Sequence, residues 1–243
     1  NAQSKRWNKR MEEKNRLIES QKSAIEKINI ELEKQLLTAQ INPHFIFNAL
    51  SSIQHLITAN DKKSAIRFLA KFSHLLRQVL ESSMMINISL KEDIKLLSNY
   101  IDLESLRFEN RFSYAIKTDA SIDIEDLEVP ALIIQPFVEN AILHGFSSIQ
   151  NKGELTIAYS DKQDFIECTI TDNGIGRKAA AEIKQKSHYK SKSRGLEITK
   201  KRLKISNPNM DVNSFIEFTD LKDENNNPQG TQVTIKLPKS NTN

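Results

Sequence analysis

Apolar residues recur at seven-residue intervals near the start of the chain, at Met11, Ile18, Ile25, Leu32 and Ala39. A sustained seven-residue repeat is typical of a parallel coiled coil, because it keeps one stripe of side chains facing a partner helix. A long helix without a packing partner is only marginally stable in water, so the repeat indicates self-association. Residues 1–36 are therefore predicted to form a coiled-coil helix.

Two amphipathic helical patterns follow, and the polar pair Asn60-Asp61 separates them. They run through residues 39–59 and 64–82, and helices joined by a short turn form a hairpin. Two such hairpins form a four-helix bundle. A third helix is predicted to begin with the capping-box pattern Ser89-Leu90-Lys91-Glu92 and to continue to residue 108. Residues 37–108 are thus predicted to be dimerisation helices, and roughly the first 108 residues to be helical.

The pattern then changes to short alternating stretches, which predict strands at residues 112–118, 154–159 and 165–171 and a hairpin of residues 214–219 and 231–237. Helices are predicted at residues 131–145, with Gly145 as a stop signal, and at residues 196–205. This order predicts an α+β fold, in which a two-layer α/β sandwich spans residues 109–243 and follows the coiled coil and the helical hairpin. In that sandwich, helices cover one face of a mostly antiparallel sheet.

Composition narrows the class of protein. Of 243 residues, 38% are hydrophobic and 27% charged, which is typical of a globular chain. The net charge of +4 suits nucleotide phosphates or a membrane surface as well as nucleic acid, but no basic stripe carries interleaved aromatics. Direct nucleic-acid binding is therefore not expected. The single cysteine, Cys168, excludes an internal disulfide and argues against a cysteine-based zinc site.

The first ten residues combine Trp7 with Lys5, Arg6, Lys9 and Arg10. This composition is typical of the cytoplasmic flank of a transmembrane helix, and an ordinary solvated helix start is the alternative. No run of eighteen apolar residues occurs in the chain. Because residue 1 is asparagine, the chain is expected to be a fragment or a processed product.

Candidate chemistry lies at the end of a predicted strand, in Asp172-Asn173-Gly174-Ile175-Gly176. Two glycines let the backbone approach a ligand closely, and a buried aspartate can accept a hydrogen bond from an exocyclic amine such as that of adenine. A plain β-turn is the alternative interpretation. The chain contains neither a Walker loop nor a Rossmann fingerprint.

A second cluster lies in the helix that ends at Gly145. It contains Glu139 and Asn140, followed one turn later by His144. Carboxylate and amide oxygens suit Mg²⁺, which keeps several waters and binds substrate phosphates directly. The lysine-rich stretch between Gly176 and Gly195 is predicted to be a mobile lid over phosphates, with a merely solvated loop as the alternative.

Four of these segments together resemble a known ATPase type. The string from Pro136 to Gly145 resembles the N box of the histidine kinase/Hsp90/MutL ATPases. The segment 172–176 looks like their first glycine box, Gly195-Leu196 like the second, and Gly230-Thr231 like the closing pair. One position departs from the pattern, because Ser193 stands where the second box normally has its first glycine.

The upstream segment Gln40-Ile41-Asn42-Pro43-His44-Phe45-Ile46-Phe47-Asn48-Ala49-Leu50 resembles the phosphoacceptor segment of LytS/YesM-type sensor histidine kinases. Residues 100–112 are similar to the linker of that family. The resemblance implies the cytoplasmic part of a homodimer tethered to a bacterial inner membrane, with ATP and Mg²⁺ as cofactors. It also implies a response-regulator partner with an acceptor aspartate, and in this family the regulator often carries a LytTR DNA-binding domain.

The resemblance also assigns site residues. His44 is the expected phosphoacceptor, and Asn48, one turn later, either orients a water for hydrolysis of a phospho-aspartate or is simply a polar helix position. Glu139 is a candidate general base if the two domains close together. The expected ATP ligands are Asn140, which also holds Mg²⁺, together with His144, Asp172, Gly174, Gly176, Arg194, Gly195, Leu196 and Thr231.

Three alternatives remain open. The altered second glycine box favours a dimeric signalling module that binds ATP but is catalytically weak. An ATPase of the chaperone or mismatch-repair kind would instead use Glu139 to activate water. Basic nucleic-acid binding would predict strongly salt-dependent retention on DNA.

Overall fold

The computed structural model describes residues 7, 10–20, 23, 43–146, 149, 152–186, 194–206 and 215–241. The chain divides into two compact units, Asn1–Pro43 and His44–Asn243. In the first unit, residues 10–20 are helical. The other positions of the predicted coiled coil lie largely outside the described residues.

Three helices open the second unit. They are α1 (Pro43–Thr58), α2 (Lys62–Ser83) and α3 (Leu90–Arg107). The turn between α1 and α2 uses Asn60 at a φ of 60° and Asp61, whose carboxylate accepts a hydrogen bond from the backbone N–H of Ser64 at 3.0 Å. This turn confirms the helical hairpin, because asparagine tolerates left-handed backbone and aspartate is a favoured N-cap.

The capping box predicted at Ser89 is confirmed. The Ser89 hydroxyl accepts from the Glu92 N–H at 3.2 Å, and the Glu92 carboxylate accepts from the Ser89 N–H at 3.4 Å. The expectation that roughly the first 108 residues are helical is wrong between α2 and α3, where Asn87–Ser89 form strand β1. Its partner is Leu127–Pro130, a non-local contact that local periodicity cannot reveal.

The central sheet has five strands in the order β2-β4-β5-β7-β6, and the first pair is parallel while the others are antiparallel. Its strands are β2 (Phe112–Thr118), β4 (Gly153–Asp161), β5 (Phe165–Asp172), β6 (Ile216–Lys222) and β7 (Pro228–Pro238). A smaller sheet joins β1, β3 (Leu127–Pro130) and β8 (Ser240–Asn241). Buried and partly exposed residues alternate along β4 and β5, so one face of the sheet forms the core. The α+β class and the two-layer sandwich are confirmed.

Three further helical segments belong to the α/β sandwich. They are α4 (Gln135–Asn140), which continues as a π-helical turn (Ala141–Gly145), α5 (Gly176–Lys186) and α6 (Arg194–Ser206). The helix predicted from residue 131 begins only at Gln135, because Leu132 has a φ of 58° and residues 131–134 form a loop. No helix was predicted at α5, where the lysine-rich composition favoured a lid.

An aromatic cluster joins α1 to the other two helices of the unit. The Phe45 ring lies 5.5 Å from that of Phe72 on α2 and 5.4 Å from that of Tyr100 on α3, and all three side chains are buried. Within the described residues, every helix is too short or too polar to span a bilayer.

Candidate functional site

A cavity of about 200 Å³ lies between α4, its π-helical turn, α5 and the strands β5, β6 and β7. Its lining is mainly apolar, with a few polar groups that include an aspartate, an asparagine, a histidine and an arginine. The lining residues are Phe137, Asn140, Ala141, His144, Gly145, Asp172, Gly176, Arg177, Ala180, Ala181, Phe218, Thr231 and Val233. An apolar cavity with a few convergent polar groups is typical of a small-molecule site.

Asp172 is the most deeply placed acid of this cavity. It ends strand β5, its side chain is 7% exposed, and its Oδ1 accepts from the Gly174 N–H at 2.9 Å. Burial raises the pKa of Asp172, and hydrogen bonds from the backbone N–H groups of Gly174 and Thr231 act in the opposite direction. A buried carboxylate keeps further acceptor capacity, so a ligand N–H group that reaches it gains a charge-assisted hydrogen bond.

Three glycines surround Asp172 because the backbone segments approach one another without room for side chains. A Cβ on Gly174 would lie 2.6 Å from the Cα of Gly145, and the Ile175 N–H donates to the Gly145 carbonyl at 3.1 Å. Gly230 has a φ of 128°, and a Cβ there would lie 1.9 Å from the Asp172 carbonyl oxygen. The glycines therefore join the end of the π-helical turn, the loop after β5 and the start of β7 into one site.

The π-helical turn sets which side chains reach the cavity. The Phe146 N–H donates to the Ala141 carbonyl at 3.1 Å, which closes a wider turn than an α-helix has. Asn140 and His144 both line the cavity at the two ends of this turn, and Asn140 is exposed. Single π turns inside helices occur frequently at functional sites.

Glu139 precedes Asn140 but does not line the cavity, and its side chain is half-buried. It lies near the hydroxyl of Tyr100 on α3: burial raises the pKa of that hydroxyl well above its usual value, and Glu104 and Glu139 raise it further. The structure thus brings Glu139 close to α3.

One wall of the cavity depends on an ion pair that the sequence patterns did not reveal. The Arg177 guanidinium at the start of α5 binds Asp220 of β6 through Nε–Oδ1 and Nη2–Oδ2 contacts of 2.6 and 2.8 Å. It also lies 5.2 Å from the ring centroid of Phe218. Arginine and carboxylate groups match as planar forks, so this pair fixes α5 against β6. Charge content alone could not identify Arg177, because its partner lies 43 residues away.

The remaining predicted site residues lie elsewhere. His44 is the second residue of α1, and only its backbone is described. Asn48 follows one turn later, half-buried, and its carbonyl accepts from the Ser52 hydroxyl at 3.0 Å. Arg194 and Gly195 begin α6 and are described by backbone alone, and Leu196 is half-buried and outside the cavity lining. Among the described residues, no three His, Cys, Asp or Glu side chains cluster as a metal site.

Two protein-family models match the chain. A model described as histidine kinase matches residues 32–112. A second, described as histidine kinase-, DNA gyrase B-, and HSP90-like ATPase, matches residues 125–241. The second match contains the whole cavity lining.

Curated relatives point to the same family. Sensor protein LytS of Staphylococcus epidermidis is 34% identical over 144 residues, which cover 59% of this chain and 24% of that protein. Sensor protein LytS of Oceanobacillus iheyensis is 32% identical over 165 residues, 66% of this chain and 28% of the relative. Sensor histidine kinase YpdA of Escherichia coli is 32% identical over 144 residues, which cover 59% of this chain and 25% of that protein. The chain thus spans about a quarter of the length of these relatives.

Solved structures include a mycobacterial sensor histidine kinase, MprB, with a TM-score of 0.43 and 15% identity over 64% of this chain and 98% of that one. The histidine kinase domain of a blue-light activated histidine kinase from Erythrobacter litoralis has a TM-score of 0.43 and 14% identity, and the match covers 87% of this chain and 95% of that one. The two family matches and the LytS relatives together show that the chain belongs to the LytS-type sensor histidine kinases.

Proposed function

We propose that the chain is the catalytic portion of a sensor histidine kinase, which uses ATP to phosphorylate His44 and then passes the phosphoryl group to an aspartate of a response regulator. The observation that carries the proposal is the cavity beside Asp172, which offers one buried acceptor within an apolar lining. That combination fits a flat aromatic base with an exocyclic amine.

In this proposal the carboxylate of Asp172 accepts a hydrogen bond from the amine of adenine. Phe137 and Val233 supply apolar lining, and Thr231 holds Asp172 through its backbone N–H. His144 and Asn140 lie on the polar side, where the ribose and phosphates would leave the cavity. Of the lysine-rich segment between Gly176 and Gly195, residues 176–186 form α5 and residues 187–193 lie outside the described residues, so the phosphate-covering lid stays a prediction.

Asn140 is the proposed Mg²⁺ ligand. Its side chain is exposed and lines the cavity, so a single amide oxygen is available to a cation that takes its other ligands from phosphates and water. When bound, Mg²⁺ would neutralise charge on the transferring phosphoryl group. Glu139 remains the candidate general base, since it lies beside Asn140 and faces α3.

The proposed phosphoacceptor lies on a helix with a fixed inner face. Phe45, next to His44, packs against Phe72 and Tyr100, which anchors this turn of α1. A neutral imidazole nitrogen attacks the γ-phosphorus, the bond to the β,γ-bridging oxygen breaks, and ADP leaves. Asn48 is the proposed residue that orients water when the phospho-aspartate of the regulator is hydrolysed.

A homodimer is proposed because α1 and α2 expose an apolar face. On α1, Phe47, Leu50 and Ile57 are 67%, 51% and 59% exposed, and their spacing places them on one side of the helix. On α2, Ile66 and Leu69 are 69% and 47% exposed. Two copies that pack these faces together would complete a four-helix bundle.

Location and organisation complete the proposal. The basic residues near Trp7 suit the cytoplasmic flank of a membrane tether, so we place the chain on the cytoplasmic side of a bacterial inner membrane. The three-part division into residues 1–36, 37–108 and 109–243 is part of the proposal, as is a regulator of the LytTR type. Such a regulator, rather than this chain, would contact DNA.

The test is labelling of the purified chain with ATP carrying a labelled γ-phosphate. We expect label that is acid-labile and alkali-stable, as phosphohistidine is. His44→Gln should abolish the label and keep nucleotide binding, whereas Asp172→Asn should lose nucleotide binding and label together. Full acid-labile labelling of the His44→Gln variant would refute the assignment of the phosphoacceptor.

A second candidate function rests on one observation, the serine at position 193 in place of the first glycine of the second box. Serine restricts the backbone where glycine is free, so the lid hinge would be stiffer. The chain would then be a dimeric signalling module that binds ATP and transfers phosphate poorly. Saturable ATP binding without labelled protein, with labelling restored by Ser193→Gly, would favour it.

A further inference from the structure

The loop that links β3 to α4 is held in an unusual backbone conformation. Ala131, Ile133 and Ile134 are buried, and Leu132 between them has a φ of 58°. Left-handed backbone is unfavourable for a leucine, so surrounding contacts must stabilise it. This loop, residues 131–134, directly precedes the helix that carries Glu139 and Asn140.

Three separate elements bind the backbone of this loop. The Ala131 N–H donates to the carbonyl of Ile86 at 3.0 Å, just before β1. Arg202 of α6 donates from Nη1 to the Ala131 carbonyl at 2.9 Å. The carboxyl of Asp93, buried in α3, accepts from the Leu132 N–H. A single peptide group, the one between Ala131 and Leu132, thus connects α6 with α3.

Arg202 is an unusual group to place there. Burial lowers the pKa of its guanidinium, and it forms no ion pair with any carboxylate among the residues that the structure describes. Moving a guanidinium out of water is costly, and one carbonyl is a small compensation. Arg202 is therefore not simply a charged residue that keeps the surface of α6 solvated.

The position of α6 in the chain indicates what the contact transmits. Helix α6 begins at the second glycine box and follows the predicted lid. Its far end is tied to β1, since the Ser206 hydroxyl donates to the Asn87 side-chain oxygen at 3.1 Å. Helix α3 in turn contacts the phosphoacceptor hairpin, where Asn99 donates to Gln78 of α2 at 2.9 Å.

We propose that Arg202 is a positioning residue that couples helix α6 to the start of helix α4 and, through Asp93, to helix α3. A nucleotide that stabilises the start of α6 would then, through Arg202, also stabilise the loop of residues 131–134. This loop would set the position of Asn140 and restrict the motion of α3 beside the hairpin of α1 and α2. The inference rests on the proposed function, because it assumes that a nucleotide binds beside Asp172.

The test is hydrogen exchange of the 243-residue chain, measured by mass spectrometry with and without a non-hydrolysable ATP analogue. The variants are Arg202→Met, which keeps the length but loses the donors, and Lys204→Met, an exposed position on the same helix. In the unaltered chain we expect the analogue to slow exchange in α6, in residues 127–140 and in α3.

In Arg202→Met the analogue should still slow exchange in α6, and its Kd should stay within about threefold of the value for the unaltered chain. The protection that the analogue gives to residues 127–140 and to α3 should fall at least fivefold. The rate constant of autophosphorylation should fall at least fivefold at saturating ATP. Lys204→Met should match the unaltered chain. If Arg202→Met does not fold, Arg202→Gln, whose shorter side chain does not reach Ala131, replaces it.

Two negative results have different meanings. Equal protection of residues 127–140 in Arg202→Met and in the unaltered chain would overturn the coupling, and so would an equal loss in Lys204→Met. Absence of any protection by the analogue in the unaltered chain would instead remove the proposed nucleotide site.

Discussion

Replacement of Asp93 by asparagine should remove a pH dependence of stability that this one carboxyl imposes. The side chain of Asp93 is 4% exposed, and burial raises its pKa from 3.8 to about 7, although the Leu132 N–H and the Tyr159 hydroxyl act against the shift. Its Oδ2 has no partner in normal hydrogen-bond geometry among the described residues. The folded state therefore keeps a proton that the unfolded chain releases.

The sign follows from proton linkage. Between the unfolded and folded pKa values the native state binds more protons, so the free energy of unfolding falls as pH rises. This contribution is fully present below about pH 4 and is lost by about pH 7. A shift from 3.8 to about 7 corresponds to at most roughly 4 kcal/mol, and the window from pH 5 to pH 8 contains about 2–3 kcal/mol of it.

The assay is urea unfolding of the unaltered chain and of Asp93→Asn at several pH values from 5 to 8. Asparagine keeps an acceptor oxygen for the Leu132 N–H but carries no charge. Tyr159 and Cys168, the other titratable groups nearby, stay neutral throughout this range because burial raises the pKa of each well above its usual value. The stability of the variant relative to the unaltered chain should increase by about 2–3 kcal/mol from pH 5 to pH 8.

Glu154→Gln is the matched control, because it removes one carboxylate from an exposed position and keeps Asp93, so the fall in stability from pH 5 to pH 8 should persist. Parallel curves for Asp93→Asn and the unaltered chain would show that the Asp93 carboxyl ionises in the folded state as it does in the unfolded chain, and the reasoning would fail.

Three further changes test separate parts of the structure. Gly174→Ala places a Cβ 2.6 Å from the Gly145 backbone and should weaken the binding of an ATP analogue about tenfold or more, as measured by calorimetry. Gly145→Ala, whose Cβ would have its nearest contact at 3.3 Å, should have a smaller effect. Equal affinities of the two variants would contradict the close approach of Gly174 to Gly145. Ser89→Ala removes the N-cap of α3 and should lower the free energy of unfolding by about 1 kcal/mol in urea titration, and an unchanged midpoint would argue against the capping box. Ile57→Lys on the exposed face of α1 should shift the chain from dimer toward monomer in analytical ultracentrifugation, while an unchanged dimer would exclude that face.

Much of the fold follows from local patterns. The apolar faces of α1 and α2 repeat at helical spacing, and the turn at Asn60-Asp61 and the cap at Ser89 carry their own side-chain signals. The strands of the central sheet alternate visibly, because one face is buried. Local chemistry decides these elements, so a single sequence reveals them.

Elements decided by distant contacts were missed. Residues 131–134 continue an apolar run into α4, and such a run does not distinguish a buried loop from a helix. Strands β1 and β8 are short and exist by pairing with β3. Helix α5 is not predicted, because the lysine-rich composition of its segment favours a lid, although its Ala180 and Ala181 line the cavity.

The same division applies to the candidate site. Residues within a recognisable string, such as Asn140, His144, Asp172 and Thr231, could be identified, and the structure brings those four to one cavity. Phe218 and Arg177 belong to no string and reach the cavity only through the packing of α5 against β6.

The wide turn at Ala141–Gly145 has a consequence for how the length of this segment can vary. A π turn holds one residue more than an α-helical turn over the same rise. A chain lacking one residue between Asn140 and Gly145 would thus reach the same end point with ordinary helical winding. Such a deletion would preserve the close approach of Gly145 to Gly174 but remove the wider turn that separates Asn140 from His144 at the cavity.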